Sequence, residues 1–169
     1  MRALYLLSVW LHILAAATWI GGMIFVAVVL IPVTRRPEVH SVASSLVHWT
    51  GVRFRLVGWI CLGLLILSGV FNLAGRGFRW ADLWTGRVWT SSFGQTLGIK
   101  LILVALILLV SALHDFVIGP RATALWQENP ASQEALRLRR RAGWLGRINL
   151  LLALGVTALG VMLVRGFPR

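Results

Sequence analysis

The chain has 169 residues, 58% of them hydrophobic and 13% charged, with a mean hydropathy of +0.81. A water-soluble domain carries about 25% charged residues, so this composition excludes one and points to a single integral membrane domain spanning residues 1–169. The net charge of +12 comes from 17 Lys and Arg against 5 acids. The arginines lie between apolar stretches, where topology and phospholipid anchoring explain them, and no nucleic-acid partner is expected. The single cysteine, Cys61, excludes an intrachain disulfide.

The sequence predicts an all-α membrane protein, a four-transmembrane-helix bundle with helices at about 3–31, 54–73, 96–118 and 145–164. The first apolar run passes the signal-like Ala15-Ala16-Ala17 and continues through Leu30-Ile31, so it is expected to remain as a helix, closed by Pro32. The polar segment EVHSVASSLVHWTGVRFR follows and reads as a short interfacial stretch holding His40 and His48. Helix 2 ends in the glycine-rich Ala74-Gly75-Arg76-Gly77. The next loop carries Trp80, Trp84 and Trp89, the residue type that gathers at a membrane surface. Helix 3 is expected to stop at Gly119-Pro120, before a loop containing Arg137, Arg139, Arg140 and Arg141.

Arginine placement predicts orientation. Arg35, Arg36, Arg53, Arg55, Arg121, the arginine run and Arg147 share one side, against Arg2, Arg76, Arg79, Arg87, Arg165 and Arg169 on the other. The richer side should be cytoplasmic, which places both termini on the periplasmic side of a bacterial-type inner membrane.

Helices in lipid gain no hydrophobic energy by joining, so small and polar residues mark their contact faces. Four such stripes occur at helical spacing: Tyr5, Ser8, His12, Ala15, Trp19 and Gly22; Gly58, Cys61, Ser68 and Asn72; Lys100, Ser111 and His114; and Gly146, Asn149, Ala153, Thr157 and Gly160. At ~1.5 Å rise per residue, His12 lies ~13 Å and Lys100 ~6 Å from the same membrane face, so the two can share a level. His114 and Asp115 sit at the far end of helix 3, with His48 expected nearby as a second cluster.

An ionisable group inside a membrane usually has a function. His12 suits a heme iron or another metal ion, since neutral imidazole serves both. Its alternative is a helix–helix hydrogen bond to Ser68 or Asn149. Lys100 can face a porphyrin carboxylate or a quinone oxygen or serve a proton path, or it can snorkel to headgroups. His114 beside Asp115 suggests a carboxylate-supported imidazole or an interfacial pair closing helix 3, and His48 is a candidate second ligand there. Trp19 lies deep enough to line a cofactor pocket. Met23, Met162 and Cys61 read as bundle packing.

Three stretches, LHILAAATWIGGMIFVAVVLIP, LILSGVFN and FGQTLGIKLILVALILLVSALHD, carry a family resemblance. His, then Trp-x-Gly-Gly, then Pro in helix 1, with Gly-x-x-x-Lys opening helix 3, resembles the copper-resistance D (CopD) family. The pattern is also similar to the HemJ family of bacterial membrane protoporphyrinogen IX oxidases. The HemJ resemblance implies a heme b protein whose functional pair is a helix-1 histidine and a helix-3 lysine, and His12 and Lys100 fall at those positions. The CopD resemblance implies copper handling. Copper(I) prefers thiolate and thioether ligands, and the one Cys and three Met do not cluster, so a copper path would use His12, His48 and His114.

Three functions therefore stand as expectations. The first is a membrane oxidoreductase holding heme b, with His12, His114, Trp19 and Lys100 around the cofactor, Lys100 in the catalytic role, and a quinol or porphyrin-like electron partner. The second is copper binding or transport. The third is a non-catalytic membrane subunit. The sequence leaves enzyme status and homo-oligomerisation open.

Overall fold

The computed structural model describes residues 2–75, 81 and 87–165. Trp80 and Trp84, the glycine-rich exit at Arg76 and Gly77, Arg79 and Arg169 lie outside these residues, so the expectations placed on them are not addressed further. Four helices long and apolar enough to cross a membrane make up the fold: α1 (Arg2–Val33), α2 (Ala43–Ala74), α3 (Ser92–Glu128) and α4 (Gln133–Val164). No strand occurs among the described residues. The protein is a multi-pass membrane protein built as a helical bundle. At ~1.5 Å per residue these helices run ~48–56 Å, well beyond a ~30 Å hydrocarbon core, so they project past the bilayer.

The bundle is two antiparallel hairpins. α1 packs chiefly on α2 and α3 on α4, with α1 also touching α4 and the first half of α2 touching the end of α3. Ala15, Trp19 and Met23 from α1, Cys61 and Leu62 from α2, Ile107 from α3 and Ala153 from α4 form the buried centre. Large aliphatics point the other way: Leu67 is 70% exposed and Leu151 68%, against 4% for Ala15. Because leucine is as comfortable in lipid as against another helix, close-packing small residues and polar bonds decide which faces meet.

One polar bond ties three helices together. Asn149 Nδ2 of α4 donates to Ser111 Oγ of α3 at 3.0 Å and lies 3.9 Å from Met23 Sδ of α1. Asn149→Ala is expected to cost roughly 0.5–1.5 kcal/mol of bundle stability, read as an earlier unfolding midpoint in a denaturing-detergent titration. Thr157 departs from the expected inward stripe. It is exposed, and its Oγ1 donates to the Ala153 carbonyl at 2.9 Å. A threonine that bonds its own helix can face lipid.

The ends differ from the sequence expectation in an instructive way. α1 ends at Val33, one residue past Pro32, as expected, whereas Pro120 does not terminate α3. A π turn at Val26–Leu30 precedes Pro32 and another at Leu113–Ile118 precedes Pro120. A proline ring clashes with the carbonyl four residues back and offers it no N–H, and widening the preceding turn moves that carbonyl aside. α3 consequently continues to Glu128, and the expected arginine-rich loop is a helical hairpin closed at residues 129–132. Ser132 Oγ caps α4 by accepting from the Ala135 N–H at 3.1 Å. Ala122, Trp126 and Ala135 are buried between its arms, and the Arg139 guanidinium stacks 3.6 Å over Trp126. The segment expected at the interface is likewise the start of α2, preceded by a 3₁₀ turn at Pro37–Val39.

Candidate functional site

The His12 level is assembled by all four helices. His12 Nδ1 meets Ser68 Oγ of α2 at 2.8 Å. Ser68 Oγ donates its one hydrogen to the Leu64 carbonyl of its own helix, so toward His12 it accepts. In the tautomer that carries its proton on Nδ1, the histidine donates to Ser68 and keeps the lone pair on Nε2. Ser8 Oγ donates to the Ser68 carbonyl at 3.4 Å and pins the same junction. Of the two partners expected for a helix–helix bond, Ser68 is the one found; Asn149 serves Ser111 instead.

The Lys100 charge on α3 acts on His12 at long range. Two glycines flank them. A Cβ at Gly69 would stand 3.6 Å from His12 Cε1, and one at Gly160 3.5 Å from Lys100 Nζ. One turn beyond Ser68, Asn72 Oδ1 is buried with no hydrogen-bond partner, an unmet acceptor that costs free energy unless something donates to it. Trp19 lies two turns of α1 below His12, 5% exposed, and packs on Gly58, where a Cβ would be 3.5 Å from the indole. It forms the floor of this level.

His114 belongs to a second, separate level, ~21 Å along α3 from Lys100 at the arginine-rich end. Its Nδ1–H donates to Asp115 Oδ1 at 2.9 Å, and Trp59 Nε1–H of α2 donates to Asp115 Oδ2 at 3.0 Å. The carboxylate thus fixes this imidazole too with Nδ1 protonated and Nε2 available. Both residues lie in the π turn Leu113–Ile118, where Gly119 N–H bonds the His114 carbonyl. His48 is not part of this group. It stands three turns of α2 before Trp59, ~16 Å away along the helix, with its ring edge-on to Trp49 at 5.3 Å.

Sequence reading missed Trp59, Arg55 and Gly119. Arg55 and Trp59 stand four residues apart on one face of α2, a spacing that signals a shared partner, yet which helix they meet depends on cross-helix register. Gly119, five residues after His114, had been read only as a helix stop. Among the described residues no three His, Cys, Asp or Glu side chains converge on one metal position. Each histidine is a single-imidazole donor.

Fold and site together define a four-helix membrane protein with two oriented imidazoles on different levels. The family profile of copper resistance protein D, CopD, matches residues 50–163, and the chain belongs to that family of membrane proteins linked to copper resistance. The match contains Ser68, Lys100 and His114, while His12 precedes it. A protein of Aquifex aeolicus (strain VF5), described only as uncharacterized, is 32% identical over 165 residues, which cover 95% of this chain and 96% of the relative. No solved structure matches.

Proposed function

We propose that this CopD-family protein is a membrane redox protein that holds a b-type heme at the His12–Lys100 level. The observation that carries this reading is the Leu64–Ser68–His12 chain, which leaves an imidazole Nε2 lone pair inside the membrane, under the long-range charge of a lysine. The residues fit the group. His12 would hold a heme iron through its imidazole nitrogen. Lys100 offers a cation for a propionate carboxylate. Gly69 and Gly160 keep the walls beside His12 and Lys100 free of side chains. A heme bound here would supply one-electron chemistry. The chain itself orients His12 through Ser68, balances carboxylate charge through Lys100, and closes the level from below with Trp19 and the packed centre. The electron partner in this reading is a quinol or porphyrin-like molecule, in the inner membrane of a bacterium.

Ser68→Ala removes the group that orients His12 while leaving the helices intact. Heme affinity is expected to fall about tenfold or more, the usual effect of losing a ligand's hydrogen-bond partner, measured by heme titration of the purified apoprotein. The reading as a whole is tested by the visible spectrum of detergent-purified protein before and after dithionite: sharp reduced α and β bands support it, and a colourless protein expressed with heme supply contradicts it.

Family membership favours copper handling as the second reading, with His12, His114 and His48 as ligands. Each would act alone, without a neighbouring thiolate, an arrangement suited to passing copper along rather than storing it. A colourless protein that carries copper would establish this second reading in place of the first.

A further inference from the structure

Beyond the membrane-spanning part of the bundle, the two arms of the α3–α4 hairpin hold a groove of about 510 Å³ between them. Arg121, Leu125 and Glu128 line it from α3, and Glu134, Leu138 and Arg141 from α4. Steps of three or four residues set each trio on one helix face. Because the arms run antiparallel, the trios match level by level: the arginines nearest the bilayer, the leucines between, the glutamates nearest the turn at residues 129–132. The apolar stretch of α3 ends at Ile118, which also lines the groove, and that of α4 begins at Leu145. At ~1.5 Å per residue, the arginines stand ~5–6 Å beyond the hydrocarbon and the glutamates ~15–17 Å beyond it. The helices keep these opposite charges apart. Ion pairs along a helix form three or four residues apart, but a leucine fills that position here, and each arginine is seven residues from the glutamate of its own helix. Among the described residues none of the four charged side chains belongs to an ion pair. All four are exposed and both leucines are half-buried, so a ligand at the membrane surface can reach them.

A complementary ligand carries negative charge on the bilayer side of the groove and positive charge beyond it. A phospholipid phosphate suits the arginines, whose planar forks match its oxygens. An anionic lipid stops there and leaves the glutamates unmet. A choline headgroup brings positive charge but no N–H, whereas a primary ammonium donates three charge-assisted hydrogen bonds to carboxylates. We propose that the groove binds the headgroup of phosphatidylethanolamine, the phospholipid whose phosphate is followed by a primary ammonium. Its phosphate lies between Arg121 and Arg141, its ammonium turns to Glu128 and Glu134, and Leu125 and Leu138 face the ethylene link between them. The acyl chains pass Ile118 into the bilayer. The order of charges along the groove is thus the order of charges along the lipid. This inference is independent of the redox reading and holds whatever His12 binds.

Native mass spectrometry of the delipidated protein in detergent, given equal amounts of palmitoyl-oleoyl phosphatidylethanolamine, phosphatidylglycerol and phosphatidylcholine, reads the lipid retained per chain. Preferential retention of one phosphatidylethanolamine is expected, by about tenfold over either of the others, the worth of a charged hydrogen bond. Joint replacement Arg121→Gln and Arg141→Gln should lower its retention about tenfold or more. Joint replacement Glu128→Gln and Glu134→Gln keeps the phosphate end and should raise phosphatidylglycerol to the level of phosphatidylethanolamine, an exchange of preference that loss of fold does not produce. The four positions are exposed, so unfolding midpoints should stay at the parent's value. Arg140→Gln, exposed and outside the groove, should retain lipid as the parent does. Equal retention of the three lipids, a parent that prefers phosphatidylglycerol, or an unchanged preference in the glutamate double variant would overturn the proposal. So would competition by glycerophosphoethanolamine as strong as that of the lipid, which would assign the groove to a soluble zwitterion.

Discussion

Replacing His12 with alanine is expected to abolish stoichiometric heme binding, with the reduced α band falling below one tenth of the parent's. The reason is geometric. Ser68 Oγ, itself bonded to the Leu64 carbonyl, holds His12 at Nδ1, and no other imidazole shares this level. His114 lies ~21 Å further along the bundle and cannot substitute. Free imidazole added to His12→Ala should restore part of the spectrum, because the vacated space keeps its walls at Gly69 and Gly160. Lys100→Met is expected to weaken heme binding while leaving the position of the α band in place, since in the proposed reading the lysine would meet a carboxylate and not the iron. An unchanged spectrum in His12→Ala would show that α1 does not hold the heme.

Gly119→Val should have the largest effect on the other level. A Cβ there would stand 2.8 Å from the His114 carbonyl oxygen, the atom that accepts the Gly119 N–H in the π turn. Backbone crowds that position, and no flexible side chain can yield. The helix must shift its turn, which moves His114 and Asp115 out of reach of Trp59. A cost of about 2 kcal/mol is expected for such overpacking, visible as a lower unfolding midpoint. Gly143→Ala is the matched control. Nothing lies within 4 Å of a Cβ at Gly143, and an alanine in a helix interior is favoured over glycine by ~1 kcal/mol. If Gly119→Val unfolds like Gly143→Ala, the glycine does not hold the turn.

The four membrane spans were legible because hydropathy and small-residue spacing are properties of one helix at a time. The depths of His12 and Lys100 follow from counting residues along each helix, and their pairing belongs to the proposed reading. Helix ends were not. Pro32 does close α1, at Val33, but Pro120 also reads as a stop, and only the three-dimensional chain shows the π turn that lets α3 run through it to Glu128. Trp126 and the arginine run looked like loop because their burial depends on Arg139 stacking across a hairpin. The inner level was half legible. His114 and Asp115 are adjacent in sequence, whereas Trp59 and Arg55 enter through the register between α2 and α3, and that register also leaves His48 three turns away. Thr157 shows the limit of periodicity, for a residue on the polar stripe turned to lipid once its hydroxyl bonded the Ala153 carbonyl.

The most direct measurement is the heme iron and copper content of one purified, detergent-solubilised sample, per chain, by pyridine hemochrome and elemental analysis. About one heme b and no stoichiometric copper is the expected result. Stoichiometric copper without heme, or neither group after expression with both supplied, would contradict the assignment of the His12–Lys100 level to heme.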